Sequence, residues 1–367
     1  MNLAIFPNRG GSLSDLARSG QLHRFTAHYL PMYARHFEQV LYFSYAEEEW
    51  DLPRRCKLRP GPRGLHSLLY SPWLPLRYRD DLARCHVARV MQMTGVIPAA
   101  LAKVRLKLPF VATYGYRYAE FIRPTRRWTS YFLATAVERL GLRMADGVIV
   151  TTPELARHVA RWTLPERIHL IPNGVDTVAF CPPPHPPSND PPVAIFVGRL
   201  EPQKNLLALL EAVAIVGDLQ LVLVGGGNQR EALAHQAEKL GVDVELEGIV
   251  PYEALPTYLQ MADLFVLPSH IEGHPKALLE AMSVGLPCVG TDVPGIRDVL
   301  QDGETGILCP GTDPASLVSG LRRLLADRAA GREMGHRARA LIEAKYDLGN
   351  LLQQEVELLQ KLAAGRS

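Results

Sequence analysis

No run of eighteen apolar residues occurs in this 367-residue chain, which excludes a membrane-spanning helix. Met1-Asn2-Leu3-Ala4-Ile5-Phe6 lacks the charged-then-apolar pattern of a secretory signal and reads as the entry to a strand. The chain is therefore expected to work in the cytosol. Cysteines are few, five in all (Cys56, Cys85, Cys181, Cys288, Cys309), odd in number and far apart, which excludes a disulfide framework and zinc-ligand spacing. No Gly-x-Gly-x-x-Gly with a downstream acid is present, which disfavours a dinucleotide oxidoreductase. Asp-x-Asp is absent as well.

What remains is a globular composition, 47% apolar and 21% charged, long enough for two domains. The net charge of +2 conceals a polarity. Up to Phe180 there are 25 Lys and Arg against 14 Asp and Glu, a balance of +11; beyond it 15 stand against 24, a balance of −9. A basic first half suits an anionic membrane surface or an anionic acceptor. The segment Tyr116 to Phe132 interleaves arginines (Arg117, Arg123, Arg126, Arg127) with aromatics, as an interfacial contact would. Single-stranded nucleic acid uses similar residue types but is the weaker reading, so no nucleic-acid partner is expected.

Cys181 to Pro192 carries seven prolines and cannot form a helix or central strand, so it reads as a stiff linker. Beyond it strand-like segments (Val193–Val197, Leu219–Val224, Val244–Leu246, Asp263–Pro268, Pro287–Thr291) alternate with helical ones (Leu206–Val216, Gln229–Leu240, Tyr252–Met261). Before it, Leu3–Phe6, Val40–Phe43, His86–Val90, Phe110–Thr113 and Val148–Thr151 repeat the strand signal. The expectation is an α/β chain of two Rossmann-like, doubly wound parallel sheets facing each other across a cleft. The domains are 1–180, a linker 181–192, 193–345, and a final amphipathic helix within 346–367 crossing back onto the first domain, with Leu351, Leu352, Val356, Leu359 and Leu362 at helical spacing.

The densest signal is Pro268 to Met282. Asp263 to Pro268 reads as a buried strand, Pro275 suits the first helical position, and Gly285 with Pro287 ends the helix. Glu272 falls in the turn and Glu280 inside the helix. Helix-start amides lack partners and favour an anion, while carboxylates accept from sugar hydroxyls. Gly198-Arg199-Leu200-Glu201-Pro202-Gln203-Lys204 adds a glycine turn with two cations that suit a diphosphate, whose growing charge they would stabilise as it leaves. Gly225-Gly226-Gly227 permits close backbone approach, and Leu246 to Pro251 ends a strand where the main chain of Ile249 and Val250 suits a nucleobase. Pro7 to Ser12 holds Gly10 and Gly11, a tight loop on the acceptor side.

In order and spacing this set resembles the donor-binding domain of glycosyltransferase family 4, which has two Rossmann-like domains in the arrangement called GT-B. The likeness runs from about Ile168 to Tyr346 and includes Pro172-Asn173-Gly174-Val175-Asp176. It implies retaining transfer of a hexose from a nucleoside diphosphate sugar, UDP or GDP, to a hydroxyl of a glycan or lipid-linked glycan, with no required metal or cofactor. It implies that Glu272 contacts the transferred sugar, that Glu280 holds the ribose and that Arg199 and Lys204 clamp the diphosphate. Gly198, Asn173, Gly273, His274 and Lys276 complete the donor set. Where many relatives have Glu-Gly-Phe-Gly-Leu this chain has Glu272-Gly273-His274-Pro275-Lys276. Tyr114-Gly115-Tyr116 stands where a first-domain histidine is frequent. Within the same architecture a phosphorylase or a sugar-nucleotide epimerase is the alternative, and outside catalysis a nucleotide-sugar-binding subunit.

Overall fold

The computed structural model describes residues 1–117 and 128–366. It divides into two units, one of Met1–Pro172 with Leu351–Ser367, the other of Asn173–Asn350. The first unit is a seven-stranded, wholly parallel sheet in the order β3-β2-β1-β4-β5-β6-β7. Its strands are β1 (Asn2–Phe6), β2 (Gln39–Phe43), β3 (Cys56–Arg59), β4 (Val87–Val90), β5 (Phe110–Tyr114), β6 (Gly147–Val150) and β7 (Ile168–Leu170). Alternate residues face opposite layers. Ala4 and Phe6 pack with Phe43, Val90 and Phe110 on one side. Leu3 and Ile5 pack with Val87, Val111 and the closing helix on the other.

That helix, Leu348–Ala364, carries Leu351, Val356 and Leu359 into the second of these layers. It also brings in a charge. Arg89 on β4 is buried, and its guanidinium donates Nε to Glu355 Oε1 at 2.7 Å and Nη2 to Glu355 Oε2 at 3.0 Å. Nη2 also reaches Thr113 Oγ1 (2.7 Å), Nη1 reaches the Val90 carbonyl (2.6 Å), and the Tyr33 hydroxyl donates to Glu355. Burial pulls the Arg89 guanidinium down, but the charge and hydrogen bonds of Glu355, together with Tyr33 and Tyr29, outweigh it and keep the arginine charged.

The second unit repeats the topology with six parallel strands in the order β10-β9-β8-β11-β12-β13. These are β8 (Val193–Val197), β9 (Gln220–Val224), β10 (Val244–Gly248), β11 (Leu264–Leu267), β12 (Cys288–Thr291) and β13 (Ile307–Cys309). The strands β3, β7 and β13, absent from the sequence reading, lie at sheet edges; β3 and β7 are half-exposed and interrupted by Lys57 and His169, and β13 is only three residues long, so none forms a continuous apolar run. The first unit ends at Pro172, not Phe180: Val175 and Phe180 are buried in the second core, and Val175 bridges Asp347. The proline-rich segment is tied to the second unit, since Gln260 donates to the Cys181 carbonyl (2.8 Å) and Asn189 to Asp263 (2.8 Å). Among the described residues no helix is long and apolar enough to cross a membrane.

Removing Glu355 strands a buried guanidinium. Glu355→Leu is expected to cost about 3 to 5 kcal/mol, and the double change Arg89→Leu/Glu355→Leu clearly less, because no charge is then left unpaired. Urea unfolding followed by circular dichroism measures both; equal losses would remove the ion pair from its central place.

Candidate functional site

The C-terminal ends of β8, β9 and β10 are laced by backbone. Gly198 donates its N–H to the Val224 carbonyl (2.9 Å), Gly225 to Gly248 (2.7 Å) and Leu200 to Gly226 (2.9 Å). A Cβ on Gly225 would lie 1.8 Å from the Gly198 oxygen and one on Gly227 2.2 Å from the Leu200 oxygen. Two of the three glycines are therefore compelled by contact between neighbouring strand exits, a reason the sequence pattern alone does not reveal.

A second lacing holds two loops together. Gln203 accepts from the His270 amide (2.9 Å) and donates its side chain to the Ile271 carbonyl (2.8 Å). Asn205, in the left-handed region at φ +57, sends its amide to the carbonyls of Pro268 (3.1 Å) and Thr312 (2.7 Å). Lys204, between them, donates Nζ to Glu272 Oε1 at 2.5 Å, and Ser269 Oγ donates to the same oxygen at 2.7 Å. Glu272 Oε2 receives no donor among the described residues. Lys204 and Glu272, 68 positions apart, thus meet, whereas Arg199 is 66% exposed and pairs with Glu201 at 3.1 Å. Gly295, at φ +86, lets its backbone approach the turn, because a Cβ there would fall 2.4 Å from the Gly273 oxygen.

The helix after this turn runs Lys276–Val284, with Pro275 as its cap and not its first residue, since Pro275 has extended ψ (108°). Its first turn holds no acid and opens on Lys276, contrary to the usual preference at a helix start. Glu280, only 4% exposed, accepts from the Tyr252 hydroxyl at 3.3 Å. Ile249 is 67% exposed beyond β10 and lies beside Gly226, with Val250 half-buried after it. Asn173 acts through its side chain, donating to the His274 carbonyl at 2.8 Å. The His274 ring is buried against Tyr346, 5.5 Å between centroids, with Nδ1 lacking a hydrogen-bond partner among the described residues.

In the first unit Gly10 takes φ +79, and Gly11 closes a turn on the Asn8 carbonyl (2.8 Å). The helix that follows, Leu13–Arg18, already has an anion at its start: Glu48 accepts from the amides of Leu13 (2.9 Å) and Ser14 (2.8 Å). Burial pushes the Glu48 carboxyl up, but these bonds with those from Ser44 and Ser14 hydroxyls hold it below its ordinary value. Most of the arginine-aromatic segment, including Arg123, Arg126 and Arg127, lies outside the described residues. Sequence reasoning missed Asn205, Tyr252 and Gly295, because each works through a partner distant in the chain, and Ser269, whose hydroxyl reaches Glu272 three residues on only through the shape of the turn.

Two family models match, Glycosyltransferase Family 4 over residues 23–179 and Glycosyl transferases group 1 over residues 181–341. The GDP-mannose-dependent alpha-(1-6)-phosphatidylinositol monomannoside mannosyltransferase of Mycolicibacterium smegmatis is 30% identical over 356 residues, 90% of this chain and 89% of that protein. Among solved structures, sucrose-phosphate synthase from Thermosynechococcus elongatus superposes with a TM-score of 0.83 at 21% identity, covering 100% of both chains. Anabaena HepE, in complex with UDP and glucose, gives 0.77 at 17% identity, covering 98% of this chain and 100% of that one. These likenesses show the fold as GT-B.

Burial pushes the His274 imidazole from 6.5 down to about 4. The folded value lies below the unfolded one, so the stability it contributes is present above pH 6.5 and lost as pH falls toward 4. At about 1.4 kcal/mol per pH unit that is about 3 kcal/mol. His274→Phe is expected to flatten this part of the pH dependence, measured as denaturation midpoints at neutral and acid pH; an unchanged slope would assign the acid loss elsewhere.

Proposed function

This chain belongs to glycosyltransferase family 4, and from that premise we propose that it moves a hexose from a nucleoside diphosphate sugar to a hydroxyl of a glycan or lipid-linked glycan. Transfer retains the anomeric configuration and requires no metal ion. The observation that carries this reading is the Glu272 carboxylate, with one oxygen fixed by Lys204 and Ser269 and the other without a donor among the described residues. A carboxylate so held is preorganised to accept from sugar hydroxyls without turning.

Lys204 spends one ammonium proton on Glu272 and keeps two for the diphosphate. Arg199 joins it at little cost, since an exposed pair such as Arg199–Glu201 is worth at most about 1 kcal/mol. The amides at the start of the Lys276–Val284 helix, with Lys276 itself, supply the fixed positive field against which the departing diphosphate gathers charge. Gly198 and Gly273 leave room for that group. Glu280, steadied by Tyr252, accepts from the ribose, and the main chain at Ile249 and Val250 reads the base. Asn173 positions the His274 carbonyl. Gly10 and Gly11 belong to the acceptor side. The donor base is uracil or guanine, and the relative named as GDP-mannose-dependent supports guanine. The work is cytoplasmic, at the inner membrane face when the acceptor is lipid-linked.

Calorimetry with UDP, GDP, ADP and TDP, first in EDTA and then with magnesium, tests the donor reading. Micromolar binding of one nucleotide in EDTA is expected, weakened roughly tenfold to a hundredfold by Glu280→Ala, the loss of charge-assisted hydrogen bonds worth about 1.5 to 3 kcal/mol. Lys204→Ala is expected to lower kcat by about a hundredfold to a thousandfold. Binding of none of the four would overturn the assignment, and undiminished affinity in Glu280→Ala would remove its ribose role.

A further inference from the structure

The helix Ser67–Arg77 of the first unit is apolar on two faces. Tyr70, Ser71, Leu74 and Pro75 are buried, with the Ser71 hydroxyl against that of Tyr45 at 2.9 Å. Leu68, Leu69, Pro72, Trp73 and Leu76 are exposed, and their spacing of three and four puts them in one stripe, with exposed Leu65 just before the helix. Leu69 is 65% exposed, Leu76 50% and Trp73 43%. Isolated exposed leucines need no explanation, but a stripe this long on a folded surface marks a contact.

The surrounding charge says with what. Residues 52–84 hold eight Lys and Arg against two Asp, and one of those, Asp81, is taken by Arg59 at 2.5 Å. Arg77, at the end of the helix, lies over the Trp73 ring at 5.5 Å. Neither Arg77 nor Arg79 has a carboxylate partner among the described residues. A second copy of the chain would set cation against cation across this stripe, which disfavours self-association. An anionic lipid surface meets both features at once: aliphatic side chains and Trp73 enter the headgroup boundary while the arginines reach lipid phosphates. Pro72 removes the donor for the Leu68 carbonyl, which suits a helix lying in the wet interface and not one immersed in hydrocarbon.

We infer that this helix is a membrane-docking surface, laid flat on an anionic phospholipid bilayer with Leu69, Trp73 and Leu76 inserted and Arg77 and Arg79 at the phosphates. The inference does not depend on the donor assignment, since docking requires neither nucleotide nor acceptor. It locates the contact on a helix distinct from the arginine-aromatic segment around Arg123 to Arg127.

The test is vesicle flotation of the full chain with phosphatidylcholine alone and with added phosphatidylglycerol. Wild type is expected to float with the anionic vesicles by roughly tenfold over the neutral ones, with a blue shift of tryptophan emission. Leu69→Glu/Trp73→Glu, at exposed positions and verified as folded by circular dichroism, is expected to abolish flotation; Arg77→Glu/Arg79→Glu is expected to remove the preference for anionic lipid. Three results would overturn the inference. One is flotation undiminished in Leu69→Glu/Trp73→Glu. Another is flotation lost only in Arg123→Glu/Arg126→Glu/Arg127→Glu. The third is a wild-type dimer by ultracentrifugation that dissociates in Leu69→Glu/Trp73→Glu without vesicle binding by either protein.

Discussion

The carbonyl oxygen of Gly198 occupies the space where any other residue at 225 would place its Cβ. That exclusion governs the second unit, because it lets the exits of β8, β9 and β10 approach closely enough to exchange backbone hydrogen bonds. Parallel strands end with their loops on one edge, and open α/β folds bind ligands there. With the backbone fixed in this way, the Lys204 loop and the Glu272 turn have one relative position. Gln203 and Asn205 lock it through three carbonyl and amide contacts, and a fourth ties Asn205 to Thr312.

The charges at this edge are unequal in kind. Lys204 and Glu272 are largely withdrawn from solvent and held at short distance by flanking loops that are themselves tied. Arg199 and Glu201 are neighbours on one loop, open to water. Coulombic attraction is screened in the second pair and far less so in the first. One tied cation and one open to solvent thus stand at this edge, and the Lys276 helix start adds partial charge that requires no side-chain ordering.

The first unit solves a different problem. Its closing helix must stay on the sheet, and apolar burial of Leu351, Val356 and Leu359 is supplemented by the Arg89–Glu355 pair. A buried pair contributes little net stability, since desolvation of two ions offsets much of their attraction, yet removing one partner is costly because it leaves the other unpaired. The same unit carries the excess of cations and an uncovered apolar helix face. Both features agree with an anionic lipid surface as its partner.

The sequence by itself determined the alternation of strand and helix in the second half, the strand of Val193–Val197 and the helix of Leu206–Val216 to the residue, and the two-glutamate turn after β11. These were legible because a buried parallel strand is a continuous apolar run and a helix stop is a glycine, signals that rest on local chemistry. The edge strands β3, β7 and β13 were not, since an edge strand is only half covered and tolerates polar residues such as Lys57 and His169, or is too short, as with three-residue β13, to make such a run. Nor was the membership of Asn173 to Phe180, which depends on Val175 meeting Asp347 across the chain. Tertiary structure alone decided that Lys204 and not Arg199 meets Glu272, that Tyr252 meets Glu280, and that Arg89 is matched by Glu355. Each of these is a contact between residues 28 to 266 positions apart. The physical reason is that local propensity fixes which way a side chain leaves its own element, while its partner is chosen by how the elements stack.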